Sequence, residues 1–374
     1  MSSTTSLGRK GLSPGDVRER TAATPSTRLY CRSDANPRGV EHEAGGEPKA
    51  AARPHVDLTT VDVDVVIASH RDGRWLEPCL DSLERATGAC TYRATIVENG
   101  SSSVPFPETP TRRVLYTPNL GFAAANNAGA RGSTADLLLF LNPDTEVAHG
   151  SLELLVNSLR DRPEVGVLGV RQVTSDGSLW PSLHRFPSVR RALAQALASE
   201  KWPGVGGRVG ERVLDADRYS RGGPFDWTTG AVLAVRRQAF EDTGGFDERF
   251  FLFSEETDLC KRIQDAGWAT HLEPGVTFIH HAGKAGVDPP REAQMAYARL
   301  QYARKHFSRP RVAAYRAILL LHHLLRFATL RVLGSTRSSS APASALALRV
   351  LAGLTRAPFR RTEAEAFVDG DSST

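Results

Sequence analysis

Short apolar runs that each stop at a polar cluster constrain this chain more than any other feature. Val63-Asp64-Val65-Val66-Ile67-Ala68 reads as a buried strand, closed by Ser69, and Leu76, Leu80 and Leu83 then recur at helical spacing. A second strand, Ala94 to Val97, ends in Glu98-Asn99-Gly100-Ser101, a third spans Arg113 to Tyr116, and a fourth, Leu137 to Leu141, runs into Asn142-Pro143-Asp144. Strands alternating with helices imply an α/β fold with a doubly wound, mostly parallel sheet, and such sheets bind ligands beyond the carboxyl ends of their strands. The polar clusters occupy those ends. Farther on, the pattern predicts a helix through Leu152, Leu155, Val156 and Leu159, a strand over Val165 to Val170, a strand over Thr229 to Val235, a helix from about Glu256 to Ala266 and a strand at Val276 to Ile279. The stretch after Val170 is looser as far as about Pro224, rich in Gly and Arg without a clear period.

At 374 residues with 40% apolar content the chain is long enough for a substantial core. Cys31, Cys79, Cys90 and Cys260 are scattered, with no spacing that suits a disulfide framework or zinc, which fits a reducing cytoplasm. No secretory signal pattern opens the sequence, so a cytoplasmic protein is expected. The most apolar window, Ile318 to Leu333, is interrupted by His322, His323, Arg326 and Arg331 and falls short of the roughly 20 apolar residues of a spanning helix. Residues 1–60 read as a disordered extension, 61–308 as the main domain, 309–334 as a basic and apolar helical segment, and 335–374 as a linker (about Ser335 to Ser344), short helix and tail. Net charge is +5, with the Arg and Lys excess lying between Arg299 and Arg361. That end is compatible with an anionic partner and with peripheral contact at the inner face of the cell membrane, although packing on the main domain explains it equally well. No nucleic acid is expected, and a dinucleotide oxidoreductase is disfavoured because no GxGxxG follows the first strand.

Each polar cluster supports a chemical and a plain structural reading. Asp144 emerges after a wholly apolar strand, where a carboxylate suits Mg²⁺ or Mn²⁺ held together with a diphosphate, or simply ends a turn. Glu98 is placed to accept hydrogen bonds from a ribose or base, or is a solvated turn residue. Asn119-Leu120-Gly121-Phe122-Ala123-Ala124-Ala125-Asn126-Asn127 opens a helix through small residues, letting an anion or a backbone approach, or is a helix capped by Asn119. Glu255, Glu256 and Asp258 offer a general base, or are helix-start acids facing the macrodipole. His280-His281 ends a strand and offers a neutral imidazole to complete the metal site opposite Asp144, or is a structural or surface pair, and Trp227-Thr228-Thr229-Gly230 offers an aromatic platform to a sugar or a core residue to the fold.

Taken in order, these segments resemble the family 2 glycosyltransferases, most closely the bacterial rhamnosyltransferase-like branch. The resemblance rests on Val97-Glu98-Asn99-Gly100-Ser101, Asn119-x-Gly121-Phe122, Asn142-Pro143-Asp144, Trp227-Thr-Thr-Gly230-Ala231, Gly244-Gly245-Phe246-Asp247-Glu248-x-Phe250-Phe251, Glu255-Glu256-Thr257-Asp258-Leu259-Cys260-x-Arg262 and His280-His281, over roughly Val63 to Lys305. It implies a GT-A fold with a C-terminal helical extension. It also implies a nucleotide site of Ala68, Ser69, Glu98, Asn99, Asn119, Gly121, Asn127, Asn142 and Asp144, and a divalent cation at Asp144 and His280. Asn142 stands where the family's DxD motif has its first Asp. Trp227, Thr229, Gly230 and Asp247 fall to the acceptor, and Glu256 to the base, with Glu255 and Asp258 as alternatives.

The implied reaction is inverting transfer of a sugar from a nucleoside-diphosphate donor to an acceptor hydroxyl in cell-surface polysaccharide synthesis. The resemblance leans to dTDP-L-rhamnose, with UDP-sugars next, and to a saccharide or polyprenyl-diphosphate-linked acceptor. The competing expectation is a catalytically inactive sugar-nucleotide-binding protein derived from such an enzyme.

Overall fold

The computed structural model describes residues 61–70, 73–86, 88–100, 107–197, 209–281, 288–332 and 340–360. The N-terminal extension, Ser101, the linker positions 335–339 and the tail beyond 360 lie outside them.

Alternating strands and helices build one mixed sheet. Its strands are β1 (Val63–Ser69), β2 (Tyr92–Asn99), β3 (Arg112–Thr117), β4 (Leu137–Leu141), β5 (Thr145–Val147), β6 (Val165–Val173), β7 (Leu179–Trp180), β10 (Val232–Arg236) and β11 (Ala269–His280); β8 (Leu183–His184) and β9 (Trp227–Thr228) pair separately. The order is β3-β2-β1-β4-β10-β6-β11-β5, with β7 on β6. β3, β2, β1 and β4 run parallel, as do β6 and β11, whereas β10 is antiparallel to both of its neighbours.

Helices cover both faces, as a doubly wound sheet requires. Val63, Val65 and Ile67 pack with α1 (Gly73–Ala86) and α3 (Ser151–Arg160), while Val66, Leu138 and Phe140 pack with α2 (Phe122–Ala130), α6 (Arg237–Asp242) and α7 (Glu255–Asp265). The small residues of α2 bring it close to the sheet: a Cβ at Gly129 would stand 2.4 Å from the Val66 side chain. A third cluster joins α4 (Val189–Ala196), α8 (Pro289–His306), α9 (Arg309–Val332) and α10 (Ser340–Leu351); the short α5 (Ala216–Arg221) completes the set of described helices named here.

Three expectations change. The strand read over Thr229 to Val235 begins only at Val232, because Thr228 pairs with Leu183 in the separate β9 and Thr229 N–H donates to Ser182 O (3.0 Å) before the chain turns into β10. The strand read as Val276 to Ile279 begins at Ala269 and runs through a register shift between Glu273 and Thr277, where Pro274-Gly275 interrupts the ladder. The stretch read as a linker to Ser344 is helical from Ser340, since Ser340, Ala343, Ser344 and Ala347 are small enough to pack tightly against neighbouring helices. In α9, Tyr315, Leu319 and His323 are buried at a spacing of four, so this basic segment does pack on its neighbours. No helix of the described residues is long and apolar enough to cross a membrane.

Candidate active site

A cleft of about 490 Å³ opens beyond the carboxyl ends of β1, β2 and β4. Ala68, Asn99, Asn119, Gly121, Asn142 and Asp144 line it, together with His70, Phe122, the loop Phe251-Leu252-Phe253, Asp288, Arg291 and Phe359. The sheet dictates this gathering. Parallel register sets Ser69 beside Glu98, and β1 lies next to β4, so polar residues at successive strand ends converge on one edge.

Several of these side chains are committed to shaping the wall. Asn99 is buried; its amide donates to Gly121 O (3.2 Å) and its oxygen accepts from Leu120 N–H (2.7 Å). Asn119 accepts from Gly121 N–H (3.2 Å). Gly121 has φ +83°, and a Cβ there would meet Phe251 O at 2.4 Å, while Phe122 N–H donates to the same carbonyl (2.7 Å). Glycine therefore allows the start of α2 to lie against the 251–253 loop. At the far end of that loop Phe253 and Ser254 both have positive φ, a conformation that costs about 1–3 kcal/mol per residue and that persists where the surroundings over-determine it. It turns the chain sharply into α7, where the carboxylates begin.

Asp144 and His280 meet where β11 pairs with β5: Asp144 Oδ1 lies 3.6 Å from His280 Nε2. His280 is 9% exposed, rests edge-on against Trp180, and its Nδ1 is buried without a hydrogen-bond partner. Asp144 stays partly exposed and lines the cleft. His281 is differently occupied, bonded to Glu146 (2.7 Å) and Ser175 (2.8 Å) and stacked on Trp75. Asn142 N–H donates to Ala231 O (2.9 Å), which ties the Asn142-Pro143-Asp144 turn to the Trp227–Ala231 strip. Gly230 in that strip stands between two partners: a Cβ on it would lie 3.5 Å from Phe122 and 3.9 Å from the Glu256 carboxyl carbon.

The three acids at the start of α7 have separate environments. Asp258 is fully buried and bonded to Arg262 (2.7 Å), Lys305 (2.7 Å) and His306 (2.8 Å). Burial opposes its charge, but His306, Arg262 and Lys305 prevail and hold its carboxyl below the usual range. Glu255 is buried, with Oε2 unpartnered; burial, reinforced by the charge of Glu256, pushes its carboxyl well above the usual range. Glu256 is only half-buried, and burial raises it too, against the backbone N–H groups of Gly230 and Thr257 that favour its anion. Both carboxyls are therefore raised by burial, and those backbone N–H groups favour the anion on Glu256, whose Oε2 is buried without a partner.

A carboxyl held above its ordinary range makes folding less favourable as pH rises from the unfolded value through the folded one. Glu255→Gln, which keeps the neutral shape, is expected to raise Tm at pH 8 and to leave it unchanged at pH 4; thermal melts at the two pH values check this.

The structure does not bring every expected residue to the cleft. Ser69 and Glu98 are buried and outside its lining. Asn127 points elsewhere: its amide donates to Phe246 O (2.9 Å) and Glu248 (3.0 Å) and its oxygen accepts from Phe246 N–H (2.9 Å), pinning the Gly244–Glu248 turn. Asp247 is tied to Arg249 (2.5 Å) and Lys305 (2.6 Å), which hold its carboxyl low against the opposing effect of burial. Trp227 stacks on His184 (4.2 Å) and donates to Arg185 O (3.0 Å), a packed rather than an open ring. Thr229 accepts weakly from Gln172 Nε2 (3.4 Å).

Sequence reasoning overlooked His70, whose Nδ1 lies 2.7 Å from Asn99 O, and also the 251–253 loop, Asp288, Arg291 and Phe359.

The glycosyl transferase family 2 model matches residues 64–214. An N-acetylglucosaminyl-diphospho-decaprenol L-rhamnosyltransferase from Mycobacterium tuberculosis (strain ATCC 25618 / H37Rv) is 33% identical over 242 residues, spanning 60% of this chain and 78% of the relative. Rhamnosyltransferase WbbL from Escherichia coli (strain K12) is 24% identical over 170 residues, 43% of this chain and 61% of the relative. Among solved structures, the mannosyltransferase PcManGT from Pyrobaculum calidifontis, in complex with GDP-Man and Mn²⁺, aligns with a TM-score of 0.45 at 16% identity, over 83% of this chain and 85% of that one. With its mixed, doubly wound GT-A sheet and C-terminal helices, the chain belongs to glycosyltransferase family 2, in the rhamnosyltransferase-like branch.

Proposed function

We propose that this glycosyltransferase moves L-rhamnose from dTDP-L-rhamnose, with inversion, onto a hydroxyl of a saccharide carried on a polyprenyl diphosphate, N-acetylglucosamine being the favoured sugar there, in cell-surface polysaccharide synthesis. The observation that carries this reading is one continuous wall. The Asp144–His280 pair, the Asn142–Ala231 hydrogen bond, and Gly230 against both Phe122 and Glu256 join a phosphate-side carboxylate to a poised base. The names of the mycobacterial and enterobacterial relatives support the sugar and the lipid-linked acceptor.

The residues fit a divalent cation. Asp144 and His280 offer one oxygen and one nitrogen 3.6 Å apart beside the cleft, and ions of this kind take one or two protein ligands and complete their shell with phosphate and water. Among the described residues no group of three such ligands exists, so the donor's diphosphate would supply the remainder. When bound, the ion neutralises charge on the departing diphosphate.

The chain's own residues do the rest. Asn119, Gly121 and the 251–253 loop shape the donor cleft, and Arg291 adds a cation to its wall. Glu256 accepts the proton of the acceptor hydroxyl as that oxygen bonds to the anomeric carbon from the face opposite the leaving diphosphate. The C1–O bond to the diphosphate breaks in the same displacement, through a transition state with oxocarbenium character, as in glycoside hydrolysis. Burial and the charge of Glu256 push the Glu255 carboxyl well above the usual range, which favours Glu256 over Glu255 as the base. On α9 the exposed Leu321, Leu324, Leu325 and Val332 support peripheral contact with a membrane surface.

The test is thermal unfolding with dTDP, UDP or GDP, each with and without Mn²⁺, because a ligand that binds only the folded state raises Tm. A rise with dTDP that needs Mn²⁺ and disappears in Asp144→Ala is expected. A rise that Asp144→Ala leaves intact removes Asp144 from the site.

A further inference from the structure

Beside the donor cleft lies a second cavity of about 480 Å³, and the two share Phe251 and Phe359 in their walls. Its lining is markedly basic: Arg249, Arg304, Arg356 and Arg360 surround it, with Glu248 the one acid in the lining. Arg249 is held by Asp247, and Glu248 already accepts from Asn127, whereas Arg304, Arg356 and Arg360 form no ion pair among the described residues. The segment carrying Arg356 and Arg360 is anchored, because Phe359 N–H donates to Oε1 of Gln294, a buried side chain on α8 (3.2 Å). Arg304, Arg356 and Arg360, with no carboxylate paired to them among the described residues, suit a phosphate, which guanidinium groups bind in bidentate fashion. Tyr297, Phe251 and Phe359 add aromatic surface suited to a sugar ring or an isoprenoid chain.

We propose that this cavity binds the diphosphate of the lipid-linked acceptor, holding the sugar it carries toward Glu256 across the Phe251–Phe359 partition. This rests on the transferase reading above. The two cavities then treat their phosphates by different means: Asp144 and His280 suit a cation-bound donor diphosphate, whereas the arginines suit an acceptor diphosphate directly. It also gives the basic C-terminal end a specific task.

The probe is geranyl diphosphate, titrated calorimetrically into the full chain without donor, beside vesicles containing phosphatidylglycerol. The expected result is that wild type and Asp144→Ala bind geranyl diphosphate equally, while Arg304→Glu and Arg356→Glu each weaken it by roughly tenfold or more, as loss of a charge-assisted contact predicts. Both arginines are exposed, so folding of the variants is expected to survive, and Mn²⁺-dependent dTDP binding serves as the check. In transfer assays the same variants raise KM for a prenyl-diphosphate-linked N-acetylglucosamine by a similar factor and leave donor KM unchanged. Geranyl diphosphate binding that is absent from wild type, or lost in Asp144→Ala and kept in the arginine variants, overturns the proposal. So does binding confined to the phosphatidylglycerol vesicles, which assigns the arginines to a membrane headgroup. Because this titration needs neither donor nor transfer, it stands or falls separately from the dTDP test.

Discussion

Replacing Glu256 with Gln is expected to lower kcat by ~10²–10⁴-fold, the range that a positioned general base supplies, and to leave nucleotide binding intact. Gln preserves size and hydrogen-bonding shape but cannot take the acceptor's proton. The neighbouring acids do not substitute for it: Asp258 is bonded to Arg262, Lys305 and His306, and Glu255 is buried with its carboxyl pushed well above the usual range. The wild-type rate should also fall as the solution is acidified, through a pH above the ordinary carboxylate range, because burial holds the Glu256 proton on. Steady-state rates of wild type and Glu256→Gln across pH, alongside dTDP-induced Tm shifts, measure both effects. Unchanged transfer in the variant removes Glu256 from the mechanism; lost transfer with intact donor binding also separates an enzyme from an inactive sugar-nucleotide-binding protein.

Asp258→Ala is expected to cost about 3–5 kcal/mol, the usual effect of removing one partner from a buried ion pair. Arg262, Lys305 and His306 would be left facing a fully buried void, and Arg262 also donates to Thr243 O (2.6 Å) and Gly245 O (2.7 Å) at the turn that Asn127 pins. At about 2–4 °C per kcal/mol for a domain of this size, Tm drops by roughly 10 °C. Asp258→Asn, which keeps part of the bonding, should lose less. A Tm within about 2 °C of wild type for Asp258→Ala would show that the network contributes little to the junction of α7 and α8.

The parallel half of the sheet was legible because Leu137 to Leu141 and Val63 to Ala68 carry their own pattern, and the strand-end positions of Asn142, Asp144 and Glu98 follow from it. What the sequence left open depends on contacts between distant segments. Asp258 and Glu256 sit two positions apart with the same chemistry, and Lys305 and His306, arriving from α8, join Arg262 on Asp258 and not on Glu256. Asn127 lies in a small-residue helix start that reads as a ligand site, yet its side chain is taken by a turn 119 residues away. Arg291, Phe359 and the arginines of the second cavity come from segments whose composition carries no period that announces a site. The antiparallel direction of β10 was likewise invisible, since an apolar strand has no direction of its own in sequence.

The most direct test of the central claim is to incubate the protein with dTDP-L-rhamnose, Mn²⁺ and a short-chain prenyl-diphosphate-linked N-acetylglucosamine, then read the product's anomeric configuration by NMR. The account predicts one added rhamnose whose linkage has the configuration opposite to that of the donor. Retained configuration, or no transfer from a donor that demonstrably binds, would contradict it.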